Sequence, residues 1–182
     1  MNRLKEHYRT TVTKDLADKL GLKNPHQIPK VEKIVVSVGV GRALQDSKHL
    51  DQAVATLTKI TGQKPVITKA RKSIATFKLR DGNEIGATVT LRGDRMYFFL
   101  DQLVNVVLPR IRDFHGVKAG AFDPMGNYSI GIKEQTVFPQ ISYEDATTTH
   151  GLQINIITSG KDREASYALL AGLGMPFEKG AN

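Results

Sequence analysis

The segment IGATVTLRG, residues 85–93, alternates with a period of two. Ile85, Ala87, Val89 and Leu91 fall on one side of an extended chain, and Gly86, Thr88, Thr90 and Arg92 on the other. An apolar row needs a core to cover it, whereas hydroxyls and a guanidinium tolerate water. The segment therefore reads as a strand with one covered and one open face.

The flanking segments extend that sheet. VEKIVVSVGV, residues 31–40, is short and β-branched, a second strand. If its Ile34, Val36 and Val38 pack inward, Lys33 and Ser37 share the open face. Between the two, Leu50, Ala53, Val54, Leu57 and Ile60 mark a helix face, with Ser47 expected as N-cap and Gly62 past the end. Residues 64–69 form a further strand, and residues 70–84 a long connection carrying the turn Asp81-Gly82-Asn83. Asp94 is expected to cap a helix whose apolar face holds Met96, Phe99, Leu100, Leu103 and Val107 and which stops near Pro109. Residues 116–140 read as Gly-rich and irregular, 152–158 as a strand and 162–173 as a helix. At the start, Leu4, Tyr8, Val12, Leu16 and Leu20 lie four apart, one amphipathic helix over residues 2–20 with Gly21 as its stop.

From residue 31 the order is β-α-β-β-α, irregular structure, then β-α. That order predicts an α+β fold: a split β-α-β, RRM-like or ferredoxin-like open antiparallel sheet with helices on one face, plus an N-terminal helix and an irregular Gly-rich region. No repeat or linker calls for independent domains. One domain is expected over residues 1–182, with the N-terminal helix at 1–21, the sheet-helix core at 31–108 and 150–174, and the irregular insertion at 109–149.

With 40% hydrophobic and 24% charged residues, the 182-residue chain has ordinary globular composition. It has no Cys, which excludes disulfides, thiolate zinc sites and cysteine nucleophiles. The N-terminus carries no apolar run of a secretory leader and no segment reaches membrane-spanning length, so a cytoplasmic location is expected. The net charge of +8 is concentrated. Residues 59–112 hold eleven basic and four acidic residues, the rest fifteen and fourteen. Even spreading would serve solubility; this concentration points to a polyanion, above all nucleic acid. It is sharpest around KPVITKARKSIATFKLR, residues 64–80, since residues 52–80 carry seven cations and no carboxylate.

Nothing in the spacing supports catalysis or a cofactor. GVGRAL, residues 39–44, follows a strand but has Leu44 where a dinucleotide loop needs a third Gly, so it is expected to be a tight turn whose glycines supply positive φ. The five histidines share no metal-ligand spacing. Glu144 and Asp145 are neighbours that point apart on an extended chain, and Asp123 reads as a turn former beside Pro124 and Gly126.

Thr88, Thr90, Arg92, Lys33 and Ser37 instead make a polar platform for phosphates, ribose hydroxyls and base edges. Without aromatics on that face, a structured RNA helix or loop suits it better than a stacked single strand. In the connection 70–84, Arg71, Lys72, Lys78 and Arg80 interleave with Ile74 and Phe77. In a protruding loop these cations meet phosphates and Phe77 meets a sugar or base; the alternative tucks Ile74 and Phe77 into the core.

Residues 61–103, TGQKPVITKARKSIATFKLRDGNEIGATVTLRGDRMYFFLDQL, followed by LPRIRDFHGV, GNYSIGIKEQ and the terminal Pro176-Phe177, resemble the 5S rRNA-binding L-five family of bacterial large-subunit ribosomal proteins. The resemblance runs end to end. It implies a structural, non-catalytic ribosomal protein of the central protuberance, without cofactor. Such a protein binds 5S rRNA through the open sheet face, joins it to 23S rRNA and contributes to an intersubunit bridge beside large- and small-subunit proteins. Gln63 and Thr90 match family contacts to 5S rRNA, with Lys33, Ser37, Lys64, Thr88 and Arg92 as neighbours. Arg71, Lys72, Ser73, Phe77, Lys78 and Arg80 match a loop that reaches P-site tRNA. Three places depart from the family pattern: Ser37 stands for Asn, Pro124-Met125 for Gly-Arg, and His115 for Arg. The other readings are an RNA-acting enzyme on a ferredoxin-like core and a free RNA chaperone.

Overall fold

The computed structural model describes residues 2–142, 148–160 and 162–178; Glu144 and Asp145 lie outside the described residues. Five strands, β1 (Val31–Gly39), β2 (Val66–Lys69), β3 (Glu84–Leu91), β4 (Tyr128–Ile132) and β5 (Leu152–Thr158), form one open antiparallel sheet in the order β2-β3-β1-β5-β4. Read without β4, that order is the split β-α-β arrangement expected from the sequence.

β4 is a strand where irregular structure was expected. Its five residues alternate, with Tyr128, Ile130 and Ile132 buried and Ser129 and Gly131 exposed. So short a run, interrupted by Gly131, carries little periodic signal. It forms because the sheet supplies a partner strand, which local sequence does not encode.

The residues cluster into two compact units, each built from separate stretches of chain. The first comprises Met1–Ile34, Leu91–Ile130 and Asn155–Asn182. Its helices are α1 (Arg3–His7), α2 (Thr13–Leu20), α4 (Gly93–Gln102), α5 (Leu108–Arg110) and α6 (Arg163–Gly172). α1 and α2 are joined by a wide π turn, Tyr8–Val12. A strict four-residue repeat drifts about 40° per step on a 3.6-residue helix. The wider turn takes up part of that drift, so Leu4, Val12 and Leu16 are all buried. The Thr13 hydroxyl donates to the Tyr8 carbonyl at 2.7 Å, bonding an oxygen at the wide turn.

α1 packs against α4, where Arg3 bonds Asp101 at 2.8 Å and Lys5 bonds Asp94 at 2.5 Å. Asp94 is therefore not the helix cap: Arg92 holds the N-cap position, and Asp94 sits in the first turn as the Lys5 partner. That ammonium holds the Asp94 carboxyl below its usual range. Elsewhere in this unit, Thr158 Oγ1 donates to the Gly126 carbonyl at 3.0 Å and lies 2.8 Å from Ser166 Oγ. Phe122, Tyr128, Tyr167 and Phe177 form an aromatic cluster with ring centroids 4.5 to 6.2 Å apart. Phe177 is thereby held against the unit.

The second unit comprises Val35–Thr90 and Gly131–Ile154. Its one described α-helix, α3 (Lys48–Thr61), buries Leu50, Ala53, Thr56, Leu57 and Ile60 and ends at Gly62, whose φ is +66°. Ser47 is not its side-chain cap; Asp46 Oδ1 accepts from the Lys48 amide at 2.9 Å instead. Ser47 is already in helical conformation, so the capping carboxylate comes from one residue earlier.

Candidate nucleic-acid interface

β2 and β3 pair antiparallel with Val66 opposite Thr88, Ile67 opposite Ala87 and Thr68 opposite Gly86. Opposed residues share a face, so Thr88 stands on the side opposite buried Ala87 and Val89. β1 alternates in step, with Val36 and Val38 buried and Ser37 half-buried between them. The Thr88 hydroxyl donates to the Val36 carbonyl at 3.3 Å, fixing its rotamer against the neighbouring strand.

Gln63 is brought to this face by the stop of α3. The left-handed Gly62 turns the chain, and Thr61 Oγ1, which donates to the Leu57 carbonyl at 2.7 Å and lies 3.1 Å from the Gln63 carbonyl, accepts from the Gln63 amide. Gln63 Nε2 then donates to the Thr90 carbonyl at 3.2 Å. Lys64 follows, exposed, and Thr90 is exposed at the end of the strand. The second unit thus gathers Ser37, Gln63, Lys64, Thr88 and Thr90 on strand and loop positions. Lys33, half-buried, and Arg92, exposed, belong to the first unit.

Gly86 is buried and lets β3 lie close to both of its neighbours. A Cβ there would lie 2.5 Å from the Val38 carbonyl oxygen and 2.9 Å from Thr68 Oγ1. The sequence reading passed over Val66, which is 67% exposed opposite Thr88. β2 gives no alternation to read, since Val66 and Ile67 are both apolar and both exposed, so neither face can be assigned from its sequence.

The connection after β2 is a folded finger. Ala70 and Asn83 join its base, and Ile74 and Leu79 exchange two backbone hydrogen bonds nearer the tip. The tip is a single 3-10 turn, Ala75–Phe77, closed by Lys78 in the left-handed region at φ +52°. Ser73 Oγ accepts from the Asp81 amide at 3.0 Å and braces one side. Arg71, Lys72, Ser73, Lys78 and Arg80 are exposed, and so is Phe77, at 67%. The two readings of Phe77 are thereby separated: it is outside the core. Among the described residues, no ion pair engages Arg71, Lys72, Lys78 or Arg80, while Lys69 faces Glu84 at 3.6 Å. Four unneutralised cations around an exposed ring can meet phosphates and stack on a base or sugar.

At the departures from the family pattern, Asp123 holds a tight turn. Its carboxylate accepts from the Asn127 amide at 2.7 Å and from Asn127 Nδ2 at 2.8 Å, which lowers the carboxyl below its usual range. Met125 is exposed at the tip. The described residues hold no group of three or more carboxylates and histidines able to bind a metal. No helix among them is long and apolar enough to cross a membrane.

A family model described as Ribosomal protein L5 matches residues 24–80, and a second one, for the C-terminus of the same ribosomal family, matches residues 84–177.

Proposed function

Since this chain belongs to the ribosomal protein L5 family, an rRNA-binding structural constituent of the large ribosomal subunit and not an enzyme, we propose that its open sheet face binds 5S rRNA. What supports this is the bond between Gln63 and Thr90, which sets an amide beside a hydroxyl, with the β3 carboxylate of the same strand parity, Glu84, facing Lys69 at 3.6 Å. Lys33 and Arg92 add phosphate contacts from their own strand ends. The finger carrying Arg71, Lys72, Ser73, Phe77, Lys78 and Arg80 touches P-site tRNA, supported by the exposure of Phe77 and its surrounding cations. In the central protuberance the protein joins 5S to 23S rRNA and takes part in a bridge to the small subunit. It acts there as one structural domain.

Filter binding to 5S rRNA over a range of salt concentrations tests the sheet-face role. Affinity is expected to fall linearly on a log–log plot as phosphate contacts are screened, while staying higher for 5S rRNA than for a generic duplex. Equal affinity for both RNAs would overturn the assignment.

A further inference from the structure

At the end of β1, the second unit contains a cavity of about 420 Å³. None of its described lining residues is among those assigned above to 5S rRNA or tRNA. Three independent features make it more than a surface dent.

The first is His150. Gln135, fully buried, donates from Nε2 to the Thr148 carbonyl at 2.8 Å and accepts at Oε1 from the His150 amide at 2.7 Å. This clamp fixes the backbone of residues 148–150 beside the cavity. Both His150 ring nitrogens are shielded from solvent and have no hydrogen-bond partner among the described residues. Buried polar atoms normally have one, and its absence has a cost. Burial also holds the imidazole below its usual pKa. The neighbouring Gly151 backbone partly opposes this. The ring is then neutral, with one N–H donor and one acceptor.

The second is Gly39 and Gly41. Neither has positive φ, against the expectation from the sequence. A Cβ on either would meet nothing within 4 Å. Neither conformation nor packing therefore requires glycine at these positions. What glycine provides is bare backbone beside open space, which a closely approaching ligand can use.

The third is charge. Arg42 and His49 line the cavity, Arg42 exposed and His49 half-buried, and no carboxylate among the described residues lines it. The volume lies in the range of small-molecule sites.

We propose that this cavity binds one unstacked nucleotide, its base edge on His150, its ring over the Gly39–Gly41 backbone and its phosphate on Arg42. A turn of the ring about its Cβ–Cγ bond would present its shielded nitrogens to the cavity, where a base edge offers the donor and acceptor that the neutral imidazole lacks, and a guanidinium matches phosphate. The nucleotide can be an unpaired residue of bound RNA or a free mononucleotide. The first source rests on the RNA-binding reading above; the cavity itself does not.

The test has two arms on the full chain. In the first, NMR follows the His150 ring while AMP, CMP, GMP, UMP or inorganic phosphate is added. At least one mononucleotide is expected to move the ring resonances, and phosphate alone is not. In the second, wild type and Gly41→Leu are compared for binding 5S and 23S rRNA fragments bearing unpaired nucleotides, with His150→Phe as a further variant. The leucine enters open space, so an unchanged melting temperature checks the fold. An affinity loss of about tenfold for such RNA, with duplex binding unchanged, assigns the nucleotide to RNA. A ring response with unchanged RNA affinity assigns it to a free nucleotide. No ring response to any mononucleotide, or an equal response to phosphate, together with unchanged RNA affinity, overturns the proposal. Failure of the wild type to bind 5S rRNA would instead remove the sheet-face reading, leaving the ring response to decide on the cavity.

Discussion

Gln63 Nε2 donates to the backbone carbonyl of Thr90 at 3.2 Å, joining the loop after α3 to the end of β3 across 27 positions of sequence. The bond uses Thr90's main chain, so removing the Thr90 hydroxyl leaves this tether in place. Thr90→Ala is expected to lower 5S rRNA affinity roughly two- to tenfold, the worth of one net hydrogen bond, with an unchanged melting temperature. Filter binding and thermal unfolding measured together check this. Equal affinity in the variant would show that the hydroxyl makes no contact.

Phe77 stands 67% exposed at the tip of the finger, so its ring adds little to folding. Phe77→Ala is expected to change stability by no more than about 0.5 kcal/mol. It should leave 5S affinity intact and weaken P-site tRNA binding on reconstituted ribosomes. If both Phe77→Ala and Thr90→Ala lowered 5S affinity equally, the division into two RNA-facing surfaces would fail.

Gly86 has no room for a methyl group between the Val38 carbonyl and the Thr68 hydroxyl. Gly86→Ala must push β1 and β3 apart or break their pairing, at about 1–3 kcal/mol. Urea unfolding should show a lower midpoint. A midpoint equal to wild type would mean that the sheet yields more easily than its packing indicates.

Thr158 Oγ1 donates to the Gly126 carbonyl and lies beside Ser166 Oγ, with both side chains buried. Thr158→Val keeps the volume but leaves the Gly126 carbonyl and the Ser166 hydroxyl short of a partner, costing about 1–3 kcal/mol. Calorimetry of the variant gives the value, and Thr158→Ser should recover most of the loss.

His150 titrates below 6.5 in the folded chain because burial disfavours its charged form. Between that folded pKa and 6.5 the unfolded chain binds more protons, so stability falls as pH drops through the window. His150→Gln removes this contribution. Urea unfolding at about pH 7.5 and about pH 5.5 should show a smaller acid loss in the variant. An identical pH dependence would mean that other groups set the slope.

The strand at residues 85–93, the helix face of α3 and the concentration of cations were all readable in the sequence, because each is a periodicity or a local composition. Burial alternates from Ile34 to Val38 in β1 and from Ala87 to Leu91 in β3, although Ile85 is only half-buried and Gly86, expected on the open side, is buried. Gly21 and Gly62 stop their helices in the left-handed conformation. β4 was not readable, because five residues with a glycine inside become a strand only when a neighbour accepts their hydrogen bonds. Nor were the roles of Asp46 and Asp94: a carboxylate near a helix start serves as a cap or an ion pair according to backbone angles and to a lysine far off in sequence. Composition could show that residues 64–80 are basic, but not that Phe77 points outward while the chain beneath it closes as a hairpin. The orphaned His150 depends on tertiary structure in the same way. Local sequence sets the periodicity of an element, whereas burial and hydrogen-bond satisfaction depend on what distant segments bring beside it.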